Sequence, residues 1–282
     1  MSTEYIFDIE NLHCAYGRNP GLEKRVLNIV HLAIPKGKIV FFVGPSGIGK
    51  STILEVLGLM NDTVVSADKF LYKQQDMRGV WTSWNDNQKS DFRNKEFSFI
   101  FQDNNLMPNF SAFENVIITA MFQGKTQNQC LTEIKDIFDQ LGLPIEQDRS
   151  IQEFSGGQRQ RLAFARAILP DFEVLFGDEP TGNLDRKNAE DVLKILQNKV
   201  HERNVTAIIV SHDMRLAAEY ADMIIQIRQK TANLPDGKQR TYGLIDDNSL
   251  FYKKNDRWYD STNLLDTAEM IKNLEKSLEQ NE

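Results

Sequence analysis

Cysteine is scarce in this chain of 282 residues, which contains only Cys14 and Cys130. The two residues lie far apart and match no metal-ligand spacing, so the sequence excludes a disulfide framework and a cysteine-based zinc site. A reduced compartment such as the cytoplasm is the simplest interpretation of so little cysteine.

Long apolar runs and an excess of positive charge are missing as well. No stretch approaches the ~20 apolar residues that a membrane-spanning helix needs. The start of the chain, MSTEYIFDIE, carries acids in place of the features of a signal peptide. The net charge of −7 disfavours binding to nucleic acid through the overall field of the protein. We therefore expect a soluble protein without a nucleic-acid partner, although one that is able to dock on a membrane protein.

The composition and the apolar patterns favour an α/β fold. Hydrophobic residues make up 41% of the chain and charged residues 26%, enough for a packed core. Short apolar runs predict buried strands at 38–43, 97–101, 173–177 and 206–211, with helical patterns between them. This alternation is typical of a mainly parallel sheet with helices on its faces. Two further runs that flank Pro-Asp-Gly predict a hairpin within 223–247.

A glycine-rich loop follows the first predicted strand and leads into a helix. It matches the phosphate-binding pattern in Gly44, Pro45, Ser46, Gly47, Ile48, Gly49, Lys50 and Ser51, and Thr52 follows. Glycines let backbone N–H groups close around a phosphate, and a lysine at this position reaches the β and γ oxygens. The Ser51 hydroxyl is suited to Mg²⁺, so the loop predicts a nucleoside triphosphate site.

Polar side chains end the other predicted strands. Gln102 follows 97–101, Asp178 and Glu179 follow 173–177, and His212 follows 206–211. In open α/β sheets, ligand groups gather at the carboxyl ends of strands. An acid such as Asp178 can hold Mg²⁺ through water, and Glu179 can orient or deprotonate an attacking water. Each residue alone is typical of an ordinary strand end, so the prediction depends on their occurring together.

A second glycine pair begins a helix in EFSGGQRQRLAFARAIL, residues 153–169. A helix start preceded by Ser-Gly-Gly is an anion site, because free N–H groups and the helix dipole both face negative charge. The segment alone does not tell which phosphate it holds.

The order and spacing of these motifs resemble the ABC-type ATPases over about residues 5–235. The motifs in question are the phosphate loop, Gln102, FSGGQ, the pair Asp178-Glu179, GNLD and His212. The resemblance implies an α/β fold: a P-loop NTPase core of ABC type with a mainly parallel sheet, an antiparallel β subdomain, and a helical subdomain that carries the signature motif. It places the nucleotide-binding domain at 1–245, with the helical subdomain at about 103–165, and implies ATP and Mg²⁺ as cofactors.

The resemblance also implies roles for single residues. Glu179 would be the catalytic base, His212 a switch residue that contacts the γ-phosphate, and Gln102 a ligand of Mg²⁺ and water. Ser51 and Asp178 would hold the same metal. ATP would be bound by residues 44–52, with Tyr16 stacked on adenine; a surface or core role for Tyr16 is the alternative.

The family's domains face each other head to tail, which implies a dimer. Each ATP would lie between the phosphate loop of one chain and the signature of the other. The residues Ser155, Gly156, Gly157 and Gln158 would contact the γ-phosphate held by the partner's Lys50. Asp185, in GNLD, would communicate across the dimer.

The surroundings of the motifs are similar to the lipoprotein-releasing and macrolide-export branch, with cell-division ATPases as close neighbours. This branch implies an integral membrane permease as partner, a cytoplasmic chain bound peripherally to the cytoplasmic face of the membrane, and a role in transport or mechanotransmission. A soluble ABC-type ATPase acting on ribosomes or DNA is the alternative. A catalytically dead regulatory subunit is disfavoured, because Lys50, Glu179 and His212 are all present.

Three positions depart from the family pattern. The signature begins with Phe154 in place of the usual leucine, Ile48 replaces a small residue, and Gly177 replaces alanine or a larger residue. None of these changes removes a catalytic group, so we expect an active enzyme.

Two segments add to the family's minimal unit. Residues 61–96 replace a short hairpin, and their Trp81 and Trp84 are expected in a local core, with contact to a partner as the alternative. Residues 246–282 form a C-terminal extension that ends in an amphipathic helix. Its predicted apolar stripe, expected to pack on the same domain or on the dimer mate, consists of Leu264, Ala268, Ile271, Leu274 and Leu278.

Overall fold

Two β-sheets form the framework of the chain in a computed structural model. The structure describes residues 4–17, 24–144, 149–234 and 236–279, and residues 278 and 279 by backbone alone. In chain order, the strands are β1 (Tyr5–Ala15), β2 (Arg25–Pro35), β3 (Ile39–Val43), β4 (Val64–Ser66), β5 (Lys69–Tyr72), β6 (Gln75–Asp76), β7 (Phe97–Ile100), β8 (Val174–Asp178), β9 (Thr206–Val210), β10 (Met223–Gln226), β11 (Arg228–Asn233), β12 (Gln239–Ile245), β13 (Leu250–Lys254), β14 (Arg257–Tyr259) and β15 (Leu264–Leu265).

The helices lie between and beside these strands. Within the described ranges they are α1 (Lys50–Leu57), α2 (Val80–Ser83), α3 (Asp86–Glu96), α4 (Ala112–Phe122), α5 (Gln127–Gln140), α6 (Gly156–Ile168), α7 (Arg186–Arg203), α8 (Met214–Tyr220) and α9 (Thr267–Glu279). Among the described residues, no helix combines the length and the apolar character needed to cross a membrane.

The larger sheet is mainly parallel and has the order β15-β14-β13-β10-β3-β9-β8-β7. The strands from β10 to β7 pair in parallel, whereas β13, β14 and β15 add antiparallel strands at one edge. Every residue of β3 and β9 is buried, as expected for central strands covered on both faces. The carboxyl ends of the parallel strands therefore meet at one edge, where the predicted site residues follow them.

The second sheet is mainly antiparallel and has the order β11-β12-β2-β1-β5-β6, with β4 also paired to β1. The strands β11 and β12 form the hairpin predicted within 223–247. Pro235 of its turn lies outside the described residues. Strand β12 also pairs in parallel with β2, so the hairpin joins the sheet that contains the start of the chain.

Alternation along β3 divides the interior into two cores, because successive side chains of a strand point to opposite faces. Val40 and Phe42 pack in a core shared with β1, β2 and α1. Ile39, Phe41 and Val43 pack in the other core, which is shared with helices α4 to α9. The phosphate loop begins where β3 ends, between these two cores.

The inserted segment 61–96 carries its own aromatic packing. The ring of Trp81 lies 4.7 Å from that of Phe70, and the ring of Trp84 lies 5.4 Å from that of Phe92, both edge to face. The prediction that both tryptophans belong to a local core is therefore confirmed. Helix α3 of this segment is fastened to the helical region by a hydrogen bond of 2.8 Å from the Gln123 side chain to the Asn94 carbonyl.

The C-terminal extension packs on the same chain. Strand β13 pairs with β10, and Trp258, Met270 and Leu274 are buried in the core that contains α8. A hydrogen bond of 2.7 Å from Gln226 to Ser277 joins α9 to the larger sheet.

The apolar stripe predicted for this extension is partly wrong. Leu264 lies in β15 and is 54% exposed, because the helix begins only after Asp266, whose carboxylate accepts the Glu269 backbone N–H at 2.9 Å. Ala268 is exposed, and the buried face of the helix carries Met270 and Leu274. These two residues are four positions apart and therefore lie on the same face. The side chain of Leu278 lies outside the described residues.

Truncation of Leu274 tests whether the extension stabilises the fold. Leu274 is 3% exposed, so Leu274→Ala is expected to lower the free energy of unfolding by about 2–5 kcal/mol through lost burial and a residual cavity. The exposed Lys272 on the same helix supplies the control, since Lys272→Ala is expected to stay within about 0.5 kcal/mol. Urea unfolding measures both variants. Equal stability of Leu274→Ala and the unsubstituted chain would contradict the packing.

Candidate active site

The phosphate loop bends sharply between β3 and α1. Gly47 and Gly49 have φ angles of 71° and 108°, a backbone region that side chains with a Cβ rarely adopt. Helix α1 begins directly after Gly49. Its first N–H groups lack partners within the helix and lie at the positive end of the helix dipole. The loop and the helix start therefore form a cradle for an anion.

The ammonium group of Lys50 lies in this cradle. It donates hydrogen bonds of 2.8 Å to the carbonyl oxygens of Gly44 and Pro45, and the residue is only 7% exposed. Burial lowers the pKa of Lys50, while the charges of Glu179 and Asp178 oppose that shift. A buried cation held mainly by carbonyl groups is a strong electrostatic partner for phosphate oxygens.

The ends of the parallel strands bring the predicted acids and histidine beside this loop. The Ser51 hydroxyl donates to the Asp178 carboxylate at 3.0 Å, and Nε2 of His212 lies 2.9 Å from Oε1 of Glu179. Together they line a cavity of about 660 Å³. The site residues predicted from the sequence that line this cavity are Tyr16, Ser46, Gly47, Gly49, Lys50, Ser51, Thr52, Gln102, Asp178, Glu179 and His212. The structure thus joins groups from β3, β7, β8 and β9 around one space.

Tyr16 lines this cavity from the residue directly after β1. Its hydroxyl lies 3.0 Å from the hydroxyl of Thr52, and half of the residue is exposed. An aromatic ring fixed by one hydrogen bond and open to solvent on the other side is suited to stacking on a flat ligand.

The signature segment lies outside the cavity. Ser155 begins α6 with a reciprocal cap: its hydroxyl accepts the Gln158 N–H at 3.2 Å, and the Gln158 side chain accepts the Ser155 N–H at 2.9 Å. Within the described part of the chain, none of the four signature residues Ser155, Gly156, Gly157 and Gln158 lines the cavity. Asp185 does not line the cavity either; it is an exposed cap that begins α7. Hydrogen bonds from the backbone and side chain of Asn188 lower the pKa of Asp185.

Gln160 connects the signature helix to the catalytic strand, and sequence reasoning missed it. The residue is 1% exposed. Its side chain donates to the Glu179 carbonyl at 3.0 Å and accepts the Asn183 N–H at 2.9 Å. Glu179 itself has a φ of 49°, a conformation uncommon outside glycine that this bond helps to fix. A direct hydrogen bond therefore joins the signature helix α6 to the backbone of Glu179.

The hairpin β11–β12 contributes a further wall that the sequence did not predict. The additional lining residues Val26, Val210, Arg240, Thr241 and Tyr242 include three from β12. These three residues are far from the phosphate loop in the sequence and belong to no recognisable motif. Only the pairing of β12 with β2 brings them to the cavity.

Two glycines allow this hairpin to approach the phosphate loop. A Cβ at Gly243 would lie 2.4 Å from the carbonyl oxygen of Ile48, and one at Gly44 would lie 2.9 Å from that of Ile227. Both distances are shorter than atoms tolerate, so side chains are excluded at these contacts. The phosphate loop is therefore supported by backbone packing against the hairpin.

The departures from the family pattern fit their surroundings. A Cβ at Gly177 would lie 3.2 Å from Cγ of Pro180, so the glycine relieves a tight contact beside the acids. Ile48 is 6% exposed in the core beneath the loop. Phe154 is 3% exposed, and the Arg149 guanidinium lies 5.2 Å from the centre of its ring.

A sequence profile described as "ABC transporter" matches residues 27–182, more than half of the chain. The chain belongs to this family. The lipoprotein-releasing system ATP-binding protein LolD of Shewanella sp. (strain MR-7) is 36% identical over 69% of this chain and 81% of its own length. The LolD protein of Porphyromonas gingivalis is 34% identical over 79% of this chain and 96% of its own length.

Larger relatives belong to the same branch. The macrolide export ATP-binding/permease protein MacB of Aggregatibacter actinomycetemcomitans is 33% identical over 87% of this chain. This chain covers only 37% of that protein, so it spans about a third of the length of the MacB relatives. The predicted resemblance to the lipoprotein-releasing and macrolide-export branch is confirmed.

Solved structures of the family share the fold. The dimeric structure of MJ0796, a bacterial ABC transporter cassette, superposes with a TM-score of 0.68 at 26% identity, covering 78% of this chain and 93% of that one. A post-hydrolysis state of the same ATP-binding cassette, bound to ADP and Pi, gives a TM-score of 0.67 at 26% identity over 83% of this chain and 97% of that one. The predicted fold class, that of the ABC ATPase cassettes, is confirmed.

Substitution of Gly243 tests the backbone contact beneath the phosphate loop. Because a Cβ would collide with the Ile48 carbonyl, Gly243→Ala is expected to displace the loop and to weaken ATP binding about tenfold or more, the range of a typical overpacking penalty. Equilibrium binding of ATP, monitored by calorimetry, measures the effect. The exposed Gln239 on the same strand provides the control substitution Gln239→Ala. Unchanged ATP affinity in Gly243→Ala would show that the contact does not position the loop.

Proposed function

We propose that the chain is the ATP-hydrolysing subunit of a membrane transporter or mechanotransmission complex. It pairs head to tail with a second copy around two ATP molecules and drives a separate integral membrane permease. The observation that carries this proposal is the division of the phosphate-binding groups. The cavity collects the phosphate loop, the acids and His212, whereas the signature at 155–158 presents a second anion site outside it.

This division favours a dimer with shared active sites. The exposed start of α6 offers the N–H groups of Gly156 and Gly157, which the Ser155–Gln158 cap leaves unused, to an anion that the same chain does not supply. A second copy related by a two-fold axis would place its own nucleotide there, and the two contacts would be equivalent by symmetry. The exposed Asp185 would lie in the same interface and connect the two sites.

The cavity supports hydrolysis of ATP by positioning and electrostatics. Lys50 and the amides of the loop neutralise the charge that develops on the terminal phosphates. The Glu179 carboxylate serves as the general base for the attacking water, and the His212 side chain, 2.9 Å away, orients it and contacts the γ-phosphate. Tyr16 stacks on the adenine ring.

Mg²⁺ fits the oxygen groups at the same place. The Ser51 hydroxyl and the Asp178 carboxylate already lie 3.0 Å apart, and the Gln102 side chain lines the same cavity. Hard oxygen donors of this kind are the ligands that Mg²⁺ prefers. When bound, the ion neutralises phosphate charge and helps to orient the β and γ groups.

A second surface provides the docking site for the permease. A groove of about 350 Å³ between α3, α4 and β7 is lined by apolar side chains that include Phe99, Met107 and Phe122. Phe122 is 68% exposed, and an exposed aromatic side chain at the mouth of such a groove is typical of an interaction site. We assign the groove to a cytoplasmic helix of the permease.

Arg166 links this groove to the active site. Its guanidinium donates at 2.6 and 2.7 Å to the carbonyls of Asn104 and Asn105, which lie two and three residues after Gln102. Burial lowers the pKa of Arg166, and the residue also lines the groove. A helix that enters the groove would therefore shift the segment that follows Gln102, which couples permease movement to the nucleotide site.

The LolD and MacB relatives suggest the process that this ATPase drives. One is named as part of a lipoprotein-releasing system and the other as a macrolide export protein. We propose lipoprotein release or export, with the chain at the cytoplasmic face of the membrane and no nucleic-acid partner. The alternative function is that of a soluble ABC-type ATPase that acts on ribosomes or DNA.

Removal of the Glu179 charge tests the dimer. Glu179→Gln is expected to lower turnover by about 10²–10⁴-fold through loss of the general base, while ATP binding persists. The variant should therefore elute as a stable dimer in saturating Mg-ATP and as a monomer in ADP, as measured by size-exclusion chromatography with light scattering. Glu202→Gln, on an exposed position of α7, should behave as the unsubstituted chain. A monomer of Glu179→Gln in Mg-ATP would contradict the head-to-tail arrangement.

Neighbouring residues of α4 allow a matched test of the docking groove. Phe122 lines the groove, whereas Met121, which is 53% exposed, does not. Phe122→Asp should abolish recovery of the permease when the tagged chain is isolated from detergent-solubilised membranes, because a carboxylate would be buried against apolar groups. Met121→Asp should retain it, and the ATPase activity of both purified chains should persist. Recovery of ribosomes in place of a permease would overturn the proposed function.

A further inference from the structure

Arg240 is a cation that faces the nucleotide cavity without a carboxylate partner. It lies on β12 and lines the cavity together with Thr241 and Tyr242. Its Nε donates to the carbonyl of Arg25 at 3.2 Å, and it forms no ion pair within the described part of the chain. One edge of the guanidinium group is thereby oriented, and the remaining N–H donors are left for another group.

Strand pairing places Arg240 and Tyr16 at the same height along the strands β12, β2 and β1, which are neighbours in the sheet. Gly243 of β12 is in register with Leu27 of β2, and Arg25 of β2 is in register with Ala15 of β1. Neighbouring strands lie about 4.8 Å apart, so the backbones of residues 240–241 and 15–16 are separated by roughly 10 Å across the sheet. Arg240 and Tyr16 both line the cavity that the phosphate loop borders.

The position of this wall is fixed by packing. Tyr242 is 8% exposed, and the Arg25 guanidinium lies 5.4 Å from the centre of its ring. The next residue, Gly243, contacts the Ile48 carbonyl of the phosphate loop closely. Arg240 is therefore carried by a strand whose distance from the loop is set by backbone contact.

We propose that Arg240 binds the α-phosphate of the nucleotide, which makes the hairpin β11–β12 part of the ATP site. This inference rests on the proposed placement of ATP, with its terminal phosphates at Lys50 and its adenine on Tyr16. The phosphate nearest the ribose then lies between those two groups, in front of β12. The free N–H donors of a guanidinium form a fork that matches two phosphate oxygens, and such charge-assisted bonds are strong.

Nucleotides of different length distinguish a phosphate contact from other roles of Arg240. Dissociation constants of ATP, ADP, AMP and adenosine are measured by displacement of a fluorescent ATP analogue from the full chain. Arg240→Ala and Arg240→Gln should each weaken ATP, ADP and AMP by about the same tenfold or greater factor, because all three carry the α-phosphate. Adenosine should bind both variants as it binds the unsubstituted chain.

Lys238→Ala removes one positive charge from the same hairpin and serves as the control. Lys238 has a side chain that is 79% exposed, pairs with Asp236 and does not line the cavity, so its removal should leave all four affinities unchanged. Thermal unfolding confirms that each variant is folded, and Arg240→Gln, which keeps most of the side-chain stem, carries the test if Arg240→Ala is unstable.

Three results would overturn the inference. Unchanged ATP affinity in Arg240→Gln would show that Arg240 does not bind the α-phosphate. Equal losses of affinity for adenosine and AMP would show that Arg240 contacts the nucleoside. A loss of affinity in Arg240→Ala that is absent in Arg240→Gln would show that only the packing of the side-chain stem matters. If the unsubstituted chain fails to bind ATP, the proposed function fails instead, and that result appears before any variant is compared.

Discussion

The buried ammonium of Lys50 is the constraint on which the rest of the site depends. A cation that is 7% exposed is unfavourable unless strong acceptors surround it. Two carbonyls of its own loop accept its hydrogen bonds, and the strand ends bring the charges of Asp178 and Glu179 near it. This arrangement requires the tight glycine turn, a helix that begins at Lys50 and a parallel sheet whose carboxyl ends meet at one edge. Phosphate oxygens satisfy the same group when nucleotide binds.

Contacts between distant parts of the chain connect this site to the surfaces that transmit its state. Gln160 joins the signature helix to the Glu179 backbone, and Arg166 of the same helix holds the segment that follows Gln102. One helix thus contacts the end of β8, lines the groove that we assign to a permease and, through its exposed start, reaches the proposed dimer interface. In the proposed mechanism, α6 would transmit the presence or absence of the γ-phosphate to these three places.

The sequence predicted the parts of the molecule that local chemistry determines. The phosphate loop and the polar residues after buried strands were predictable, because glycine turns and strand ends leave local patterns and parallel strands converge at one edge. The β12 wall was not predictable, because Arg240 reaches the cavity only through the pairing of β12 with β2. The start of α9 was predicted too early, since Asp266 begins the helix after Leu264. Leu274 and Ile271 of the predicted stripe do pack on the core, whereas Ala268 is exposed. Gln160 lies in the signature helix, where nothing local reveals the burial of its amide.

The sharing of each active site between two chains is tested most directly by mixing two inactive variants. Lys50→Ala disables the phosphate loop, and Gly157→Asp places a negative charge at the signature. A heterodimer of the two retains one site that is intact in both halves. Random pairing in equal amounts should therefore restore about a quarter of the unsubstituted ATPase activity, because half of the dimers carry one of two sites. Activity that stays at the level of the separate variants would contradict sites built from two chains.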